Sequence, residues 1–322
     1  MRIGILGTGG IAARHAEAIA QVEGVELVAA TGRNFETARV FSARHGGTAY
    51  EQLDWMLGEA DLDLVIVALP PGAHNGEVEK IATAGVNLLV EKPISLDIGR
   101  ARAMVEAAAK VTAACGFMYR FGGAVERWRA LEAAGKTGRA GHFSGRFHCN
   151  ALHAPWWRDR EMSGGQIVEQ LIHIADIQRS TMGVPSSVYA RTMNFHHAHI
   201  AGYTSEDMSA MIFGYDDGRM AVLHASNFAI PGRWMKSWQI VAERATGIFA
   251  DWNNAEIVRT GEDISSETVA ATTDPFVAQI ADLRDAIASR RPPRVPLSDG
   301  LATLKMVLAA RRSADEKREV AL

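Results

Sequence analysis

Arg2-Ile3-Gly4-Ile5-Leu6-Gly7-Thr8-Gly9-Gly10-Ile11-Ala12 carries the strongest structural signal in this 322-residue chain. A short apolar strand runs directly into a glycine-rich turn of G-x-G-x-x-A form and then into an apolar helix. Gly7 permits the tight turn, and Gly9 exposes bare backbone that a pyrophosphate could approach. Ala12 is small enough for the helix to pack closely on the strand. The N–H groups at a helix start and the helix dipole both favour an anion there. Gly7, Thr8, Gly9, Gly10, Ile11 and Ala12 are therefore expected to bind the phosphates of a dinucleotide.

The flanking sequence has the same character. Val25–Ala30, Leu64–Leu69, Asn87–Val90 and Thr112–Gly116 read as strands, apolar nearly throughout, as in strands covered on both faces. Helical spacing fills the intervals Ile11–Val22, Phe35–His45, Gly76–Ala84 and Ile98–Lys110. This alternation predicts an α/β domain on a doubly wound parallel sheet over 1–121. Beyond a linking helix at Phe121–Ala134 the pattern changes. One strong helix, Gln166–Met182, stands among strand-like pieces joined by short turns such as Asp216-Asp217-Gly218. That predicts an α+β domain over 122–322, built on a large, mostly antiparallel open sheet. The closing helices Pro275–Ser289 and Ser298–Asp315 are free to pack back on the first domain.

Composition narrows the function classes. With 34 Lys and Arg against 37 Asp and Glu, the net charge of −3 offers no basic field for nucleic acid. The apolar run Leu64–Leu69 is far short of the ~18 residues a membrane helix needs, and the N-terminus shows no signal-peptide pattern. Cys115 and Cys149 form neither a disulfide framework nor a CxxC pair, and read as inert buried thiols. A cytoplasmic location is expected. His196-His197-x-His199 has a metal-like look, but without an acid or Cys at ligand spacing it reads as a polar loop, and no metal is expected.

Cofactor choice turns on the end of the second strand. NAD sites usually place an acid there, ~20 residues past the glycines, to hold the ribose hydroxyls. This chain has Thr31-Gly32-Arg33-Asn34, with no carboxylate to repel a 2′-phosphate and an Arg33 able to pair with one. NADP(H) is expected over NAD(H), with NAD possible. Leu69 ends a buried strand and Pro70 and His74 lie just beyond it, at the carboxyl end where ligands of open parallel sheets sit.

Glu91-Lys92-Pro93 occupies the same edge. A lysine there can hydrogen-bond a substrate hydroxyl and stabilise a developing alkoxide, and Lys92–Pro93 is a candidate cis peptide. In Ser163-Gly164-Gly165-Gln166-Ile167-Val168-Glu169-Gln170-Leu171-Ile172-His173, Glu169 and His173 stand at i and i+4, joined by Gln166 on the same face. An imidazole near neutrality can exchange a proton with a carbonyl oxygen while hydride moves at the carbon.

The glycine turn, Glu91-Lys92-Pro93, the Cys115–Phe121 segment (CGFMYRF) and the Gly-Gly…Glu-x-x-x-His helix, in this order, resemble the Gfo/Idh/MocA family of NAD(P)-dependent oxidoreductases. The resemblance spans essentially the whole chain. It implies a Rossmann domain followed by an open-sheet α/β domain, and reversible hydride transfer between a nicotinamide and a sugar, polyol or similar secondary alcohol. By the same resemblance Lys92 and His173 are catalytic, and Glu169, often Asp in the family, is the helix acid. Glu91, Lys92 and Arg120 would lie at the cofactor, and Tyr119, Trp157, Arg158, Gln166, Glu169 and His173 at the substrate. A homodimer or homotetramer through the open sheet is implied as well. The resulting expectation is an NADP(H)-preferring oxidoreductase of a sugar or cyclic polyol. An NAD-dependent inositol-type dehydrogenase and a non-catalytic dinucleotide-binding regulator stand as alternatives.

Overall fold

A computed structural model describes residues 1–261 and 264–322. The chain divides into two compact units, Met1–Met118 with Asp274–Leu301, and Tyr119–Thr273 with Ala302–Leu322.

In the first unit the order is β1 (Arg2–Leu6), α1 (Gly10–Ile19), β2 (Glu26–Thr31), α2 (Phe35–His45), β3 (Thr48–Tyr50), α3 (Leu53–Glu59), β4 (Leu64–Val67), α4 (Glu77–Thr83), β5 (Asn87–Val90), α5 (Ile98–Ala107) and β6 (Ala113–Cys115). The six strands pair in parallel in the order β3-β2-β1-β4-β5-β6. This is the doubly wound order whose switch point lies between β1 and β4. Local chemistry sets the helix ends. Asn34 caps α2 by accepting the Thr37 N–H at 2.9 Å, and Asp97 caps α5 by accepting the Arg100 N–H at 2.8 Å.

The chain returns to this unit late, in α11 (Pro275–Ser289), capped by Asp274 with proline at its first position. Phe276, Ile280 and Leu283 of α11 join Ile3, Ile5, Ala12, Leu64 and Ile66 in one buried apolar cluster. The side chain of Asp274 also pairs with Arg14 of α1.

The second unit begins with α6 (Gly123–Ala133) and β7 (Ala140–His148). Short helices follow at α7 (Pro155–Arg158), α8 (Arg160–Ser163) and α9 (Gly165–Glu169), then α10 (Ile172–Met182). The strands β8 (Ser187–Met193), β9 (Met208–Gly214), β10 (Met220–Ser226), β11 (Met235–Ala242), β12 (Ala245–Phe249), β13 (Asn254–Thr260) and β14 (Ile264–Ala270) come next. After α11 the chain ends in α12 (Leu297–Glu316) and β15 (Val320–Ala321).

Among the described residues the nine strands lie in the order β14-β13-β12-β11-β7-β10-β9-β8-β15. Every pairing is antiparallel except β7 with β10. Phe143, Leu223, Met211 and Ile240 point to a buried face, while Tyr189, Ile212, Met220 and Ile248 alternate onto an exposed one. Helix α10 lies on the buried face, and its close seat needs a glycine in β7. A Cβ at Gly145 would run into Cγ2 of Ile174.

The continuous helix expected over Gln166–Met182 is interrupted. The Leu171 N–H bonds to the Gln166 carbonyl five residues back, at 3.0 Å, and α9 and α10 are separated at Gln170–Leu171. A π-type bond of this kind inserts a residue into the helical ladder. Strand β3, helix α3 and strand β14 also go beyond the sequence expectation.

Candidate active site

At the glycine turn of the first unit, Gly7 has φ +111° and a Cβ there would collide with the Ala68 carbonyl oxygen, so only glycine fits. A Cβ at Gly9 or Gly10 would meet nothing within 4 Å, which leaves room beside the turn. Helix α1 has no side-chain cap and no acid in its first turn. Its orphan N–H groups and positive end suit a phosphate. A groove of about 420 Å³ opens here, lined by Thr8, Gly9, Gly10, Thr37, Phe41 and Arg44. Ala12 is buried and Ile11 partly exposed. These features fit a dinucleotide.

At the end of β2, Thr31 is buried and its carbonyl accepts the Gly7 N–H at 2.8 Å, which ties strand to turn. Arg33 is exposed just beyond. After β4, Leu69 and Pro70 are half-buried and Pro71 starts a single 3-10 turn. His74 closes that turn. It is buried, neither ring nitrogen has a hydrogen-bond partner within the described residues, and desolvation pushes its pKa down to about 4.

Glu91 is buried at the end of β5. One carboxylate oxygen lies 2.6 Å from Nε2 of His15, and the other accepts the Lys92 N–H at 3.2 Å. Lys92 is half-buried, and its peptide to Pro93 is cis, as expected from the sequence. His15, one turn into α1, carried no recognised role in the sequence. Only its partner in space shows that it braces the strand end bearing Lys92.

In the second unit, Gly164 and Gly165 both have positive φ. Gly165 must be glycine on a second count, since a Cβ would strike the Glu206 carboxylate. That carboxylate accepts the Ile167 N–H at 3.0 Å and so caps α9, with burial holding its pKa up. His173 is 6% exposed, at the start of α10. Its ring stacks on Tyr119, with centroids 4.5 Å apart and 19° between planes, and Tyr119 stacks in turn on Trp252 at 4.6 Å. Burial, reinforced by the Glu169 charge, holds the Tyr119 hydroxyl well above its ordinary pKa, so it stays a neutral donor and acceptor.

Arg120, expected at the cofactor, is seen in a buried ion pair with Asp176. Nε reaches Oδ2 at 2.6 Å and Nη2 reaches Oδ1 at 2.5 Å. The same carboxylate accepts from Thr303 at 3.1 Å. Asp176 stands one turn after His173, so the pair fastens the segment carrying Tyr119 to the helix carrying His173. Helical spacing from His173 could have singled out Asp176; its partner could not be read that way.

Gln166, expected at the substrate, is buried with both polar ends engaged. It is 0% exposed; its amide oxygen accepts from Ser209 at 2.5 Å and its nitrogen donates to the Asp207 carbonyl at 3.2 Å. Its polar ends tie α9 to β9. Trp157 is buried, and its indole N–H donates to Glu169 at 2.7 Å. Arg158 donates to the carbonyls of Leu152 and His153 at 3.1 and 2.9 Å.

The His196-His197-x-His199 loop is held by an acid that spacing did not reveal. Asp207 accepts the N–H groups of Phe195, His196 and His197 at 2.7–2.8 Å. No group of three or more His, Cys, Asp and Glu that could hold a metal occurs among the described residues. Both cysteines are buried, and desolvation pushes the Cys149 thiol up to about 11. No helix among the described residues is long and apolar enough to cross a membrane.

Comparison with known proteins agrees with these parts. Residues 1–119 match the model of the oxidoreductase family with an NAD-binding Rossmann fold, and residues 125–247 match the GFO/IDH/MocA C-terminal domain. The chain is similar to an inositol 2-dehydrogenase of Rhizobium meliloti, 27% identical over 100% of this chain and 99% of the relative. A D-xylose 1-dehydrogenase (NADP(+)) of Haloferax volcanii is 24% identical over the full length of both. Among solved structures, levoglucosan dehydrogenase in complex with NADH and L-sorbose superposes with a TM-score of 0.89, covering 100% of this chain and 98% of that one at 18% identity. The WlbA dehydrogenase of Bordetella pertussis, with NADH and UDP-GlcNAcA, gives 0.86 over 100% and 97% of the chains at 21% identity. By both its halves, the chain belongs to the Gfo/Idh/MocA family of NAD(P)-dependent oxidoreductases.

Proposed function

We propose that the enzyme is an NADP(H)-preferring dehydrogenase of a sugar or cyclic polyol, with His173 as general acid/base, Lys92 as the cation on the reacting oxygen and Glu169 as a substrate anchor. The observation that carries this reading is the preparation of His173: a buried imidazole stacked on Tyr119, on a helix start locked by Arg120 and Asp176. When bound, the nicotinamide supplies the hydride donor or acceptor. In the oxidative direction His173 takes the proton of the substrate hydroxyl, and in reduction it returns one to the carbonyl oxygen. The Lys92 ammonium donates a hydrogen bond to that oxygen and stabilises alkoxide character. Glu169 accepts from a neighbouring hydroxyl and fixes which carbon is presented.

The names of the relatives support a polyhydroxylated substrate, since inositol, D-apiose and D-xylose dehydrogenases are among them. Replacing His173 or Lys92 by Ala should lower kcat by ~10²-fold or more while the cofactor still binds. Unchanged turnover in both variants refutes the assignment, whereas cofactor binding with no turnover of any sugar or polyol by the unaltered protein would favour a dinucleotide-binding regulator.

The cofactor preference rests on exposed Arg33 and the missing acid at 31–34. Titration with NADPH and NADH separates this reading from its rival, an NAD-dependent inositol-type enzyme; the names of the Rhizobium meliloti and Thermotoga maritima relatives favour an inositol substrate. Tighter binding of NADH decides for the rival. The exposed face of the nine-stranded sheet is assigned to contact between copies of this chain, as a dimer or tetramer.

A further inference from the structure

The segment ahead of α9 holds two rings that the roles above leave unused, and both reach the end of α9 and the break that follows it. Trp157, 3% exposed, donates its indole N–H to Oε2 of Glu169 at 2.7 Å. One residue along, the Gln170 amide nitrogen lies 3.0 Å from Nε2 of His153. The two rings pack against each other, tilted, with centroids 4.1 Å apart and 31° between planes. The last residue of α9 and the first of the break are thus each tied to a ring nitrogen of one packed pair.

His153 holds this place with a left-handed backbone, φ +61°, which non-glycine residues adopt sparingly. The Arg158 guanidinium bridges the carbonyls of Leu152 and His153 and clamps that turn. A sparsely populated backbone state persists only where its surroundings over-determine it. Here they fix the height and tilt of the imidazole against Trp157.

The consequence falls on the carboxylate. Glutamate has one more rotatable bond than aspartate, and so more freedom to lose. A donor to a charged oxygen is short and directional, and restricts that freedom. We infer that Trp157 is a positioning residue for Glu169, and that His153 holds the indole in the orientation that makes the bond. The inference rests on the assignment of Glu169 to the substrate.

The test uses the full-length enzyme with its preferred nicotinamide cofactor and best substrate. Trp157→Phe keeps a ring and removes the donor. Its kcat should fall about tenfold, the scale of one hydrogen bond to a charged group, with cofactor affinity unchanged. In a Glu169→Ala background the same change should do nothing further. An equal loss in both backgrounds means a purely structural tryptophan and overturns the inference. The indole N–H resonance of Trp157 supplies a readout independent of turnover: it should move in Glu169→Ala, and an unmoved resonance also overturns the inference. If Glu169→Ala retains full turnover while that resonance moves, the positioning contact stands and the catalytic reading of Glu169 has failed. Should Trp157→Phe not fold, His153→Asn takes its place in the cycle, because asparagine tolerates the left-handed backbone but offers no ring to stack.

Discussion

Lys92, Glu169 and His173 could be proposed from the sequence because position in a local pattern marks them. A lysine directly after a buried strand and an acid and imidazole four apart both need explaining, and the sequence supplies the spacing. The residues that hold them were not legible, since each acts through a partner distant in sequence. His15 is 76 residues from Glu91 and Arg120 is 56 from Asp176. The latter pair permits a stability prediction. Asp176→Ala leaves the Arg120 guanidinium buried and deprives Thr303 and Arg179 of an acceptor. Removing one partner of a buried pair costs ~3–5 kcal/mol, whereas replacing both by apolar side chains is often neutral. Urea denaturation should show Asp176→Ala far less stable than the double variant Arg120→Met/Asp176→Leu. Equal losses would mean that the ion pair does not set the stability of this region.

Among the elements, those with strong periodicity or firm caps came through, such as β4, α2 and α11. Strand β3 has only three residues, and β14, with the pattern ISSETVA, carries little apolar signal because it lies at a sheet edge. The break between α9 and α10 was invisible for a different reason: nothing at Gln170 or Leu171 opposes a helix, and the partners that Glu169 and Gln170 meet there, Trp157 and His153, are distant in the chain. The large sheet supplies a prediction at this scale. Its outer face sets Tyr189, Met208, Ile212, Met220 and Ile248 toward solvent, and apolar side chains gathered on one exposed face mark a surface for association. Ile212, 48% exposed on β9, is the residue to change. Ile212→Lys should shift light scattering at micromolar concentration from oligomer to monomer with unchanged circular dichroism. A wild-type monomer under the same conditions would remove this face as the site of self-association.

For the molecule as a whole, the chain's return through Asp274–Leu301 to the first unit had no local signature, because the apolar stripe of α11 says that the helix is covered and not by what. Acid response is also a property of the whole chain. Burial lowers the pKa of His74 and His148 to about 4, and lowers those of His153, His197 and His224. The Nε2 of His148 and Nδ1 of His224 lie 3.0 Å apart, so charging both rings would set two cations together beside Arg146. An unfolded histidine takes a proton near pH 6.5, whereas these stay neutral while folded. As pH falls below 6.5 the unfolded state therefore binds more protons, and stability declines until the folded pKa is reached. His74 alone, moved from 6.5 to about 4, contributes about 3 kcal/mol to that decline. Carboxylates with lowered pKa, such as Glu267 and Asp274, reinforce the loss only at lower pH, where unfolded acids titrate. Glu132 and Glu206 act in the opposite sense, because burial raises their pKa and protonation relieves the folded state. Between pH 6.5 and 4.5 the histidines should dominate, and Tm followed by circular dichroism should fall steadily across that window. His74→Gln, which has no charge to gain, should flatten the slope. A variant with the wild-type slope would show that His74 takes up its proton in the folded protein as readily as in the unfolded chain.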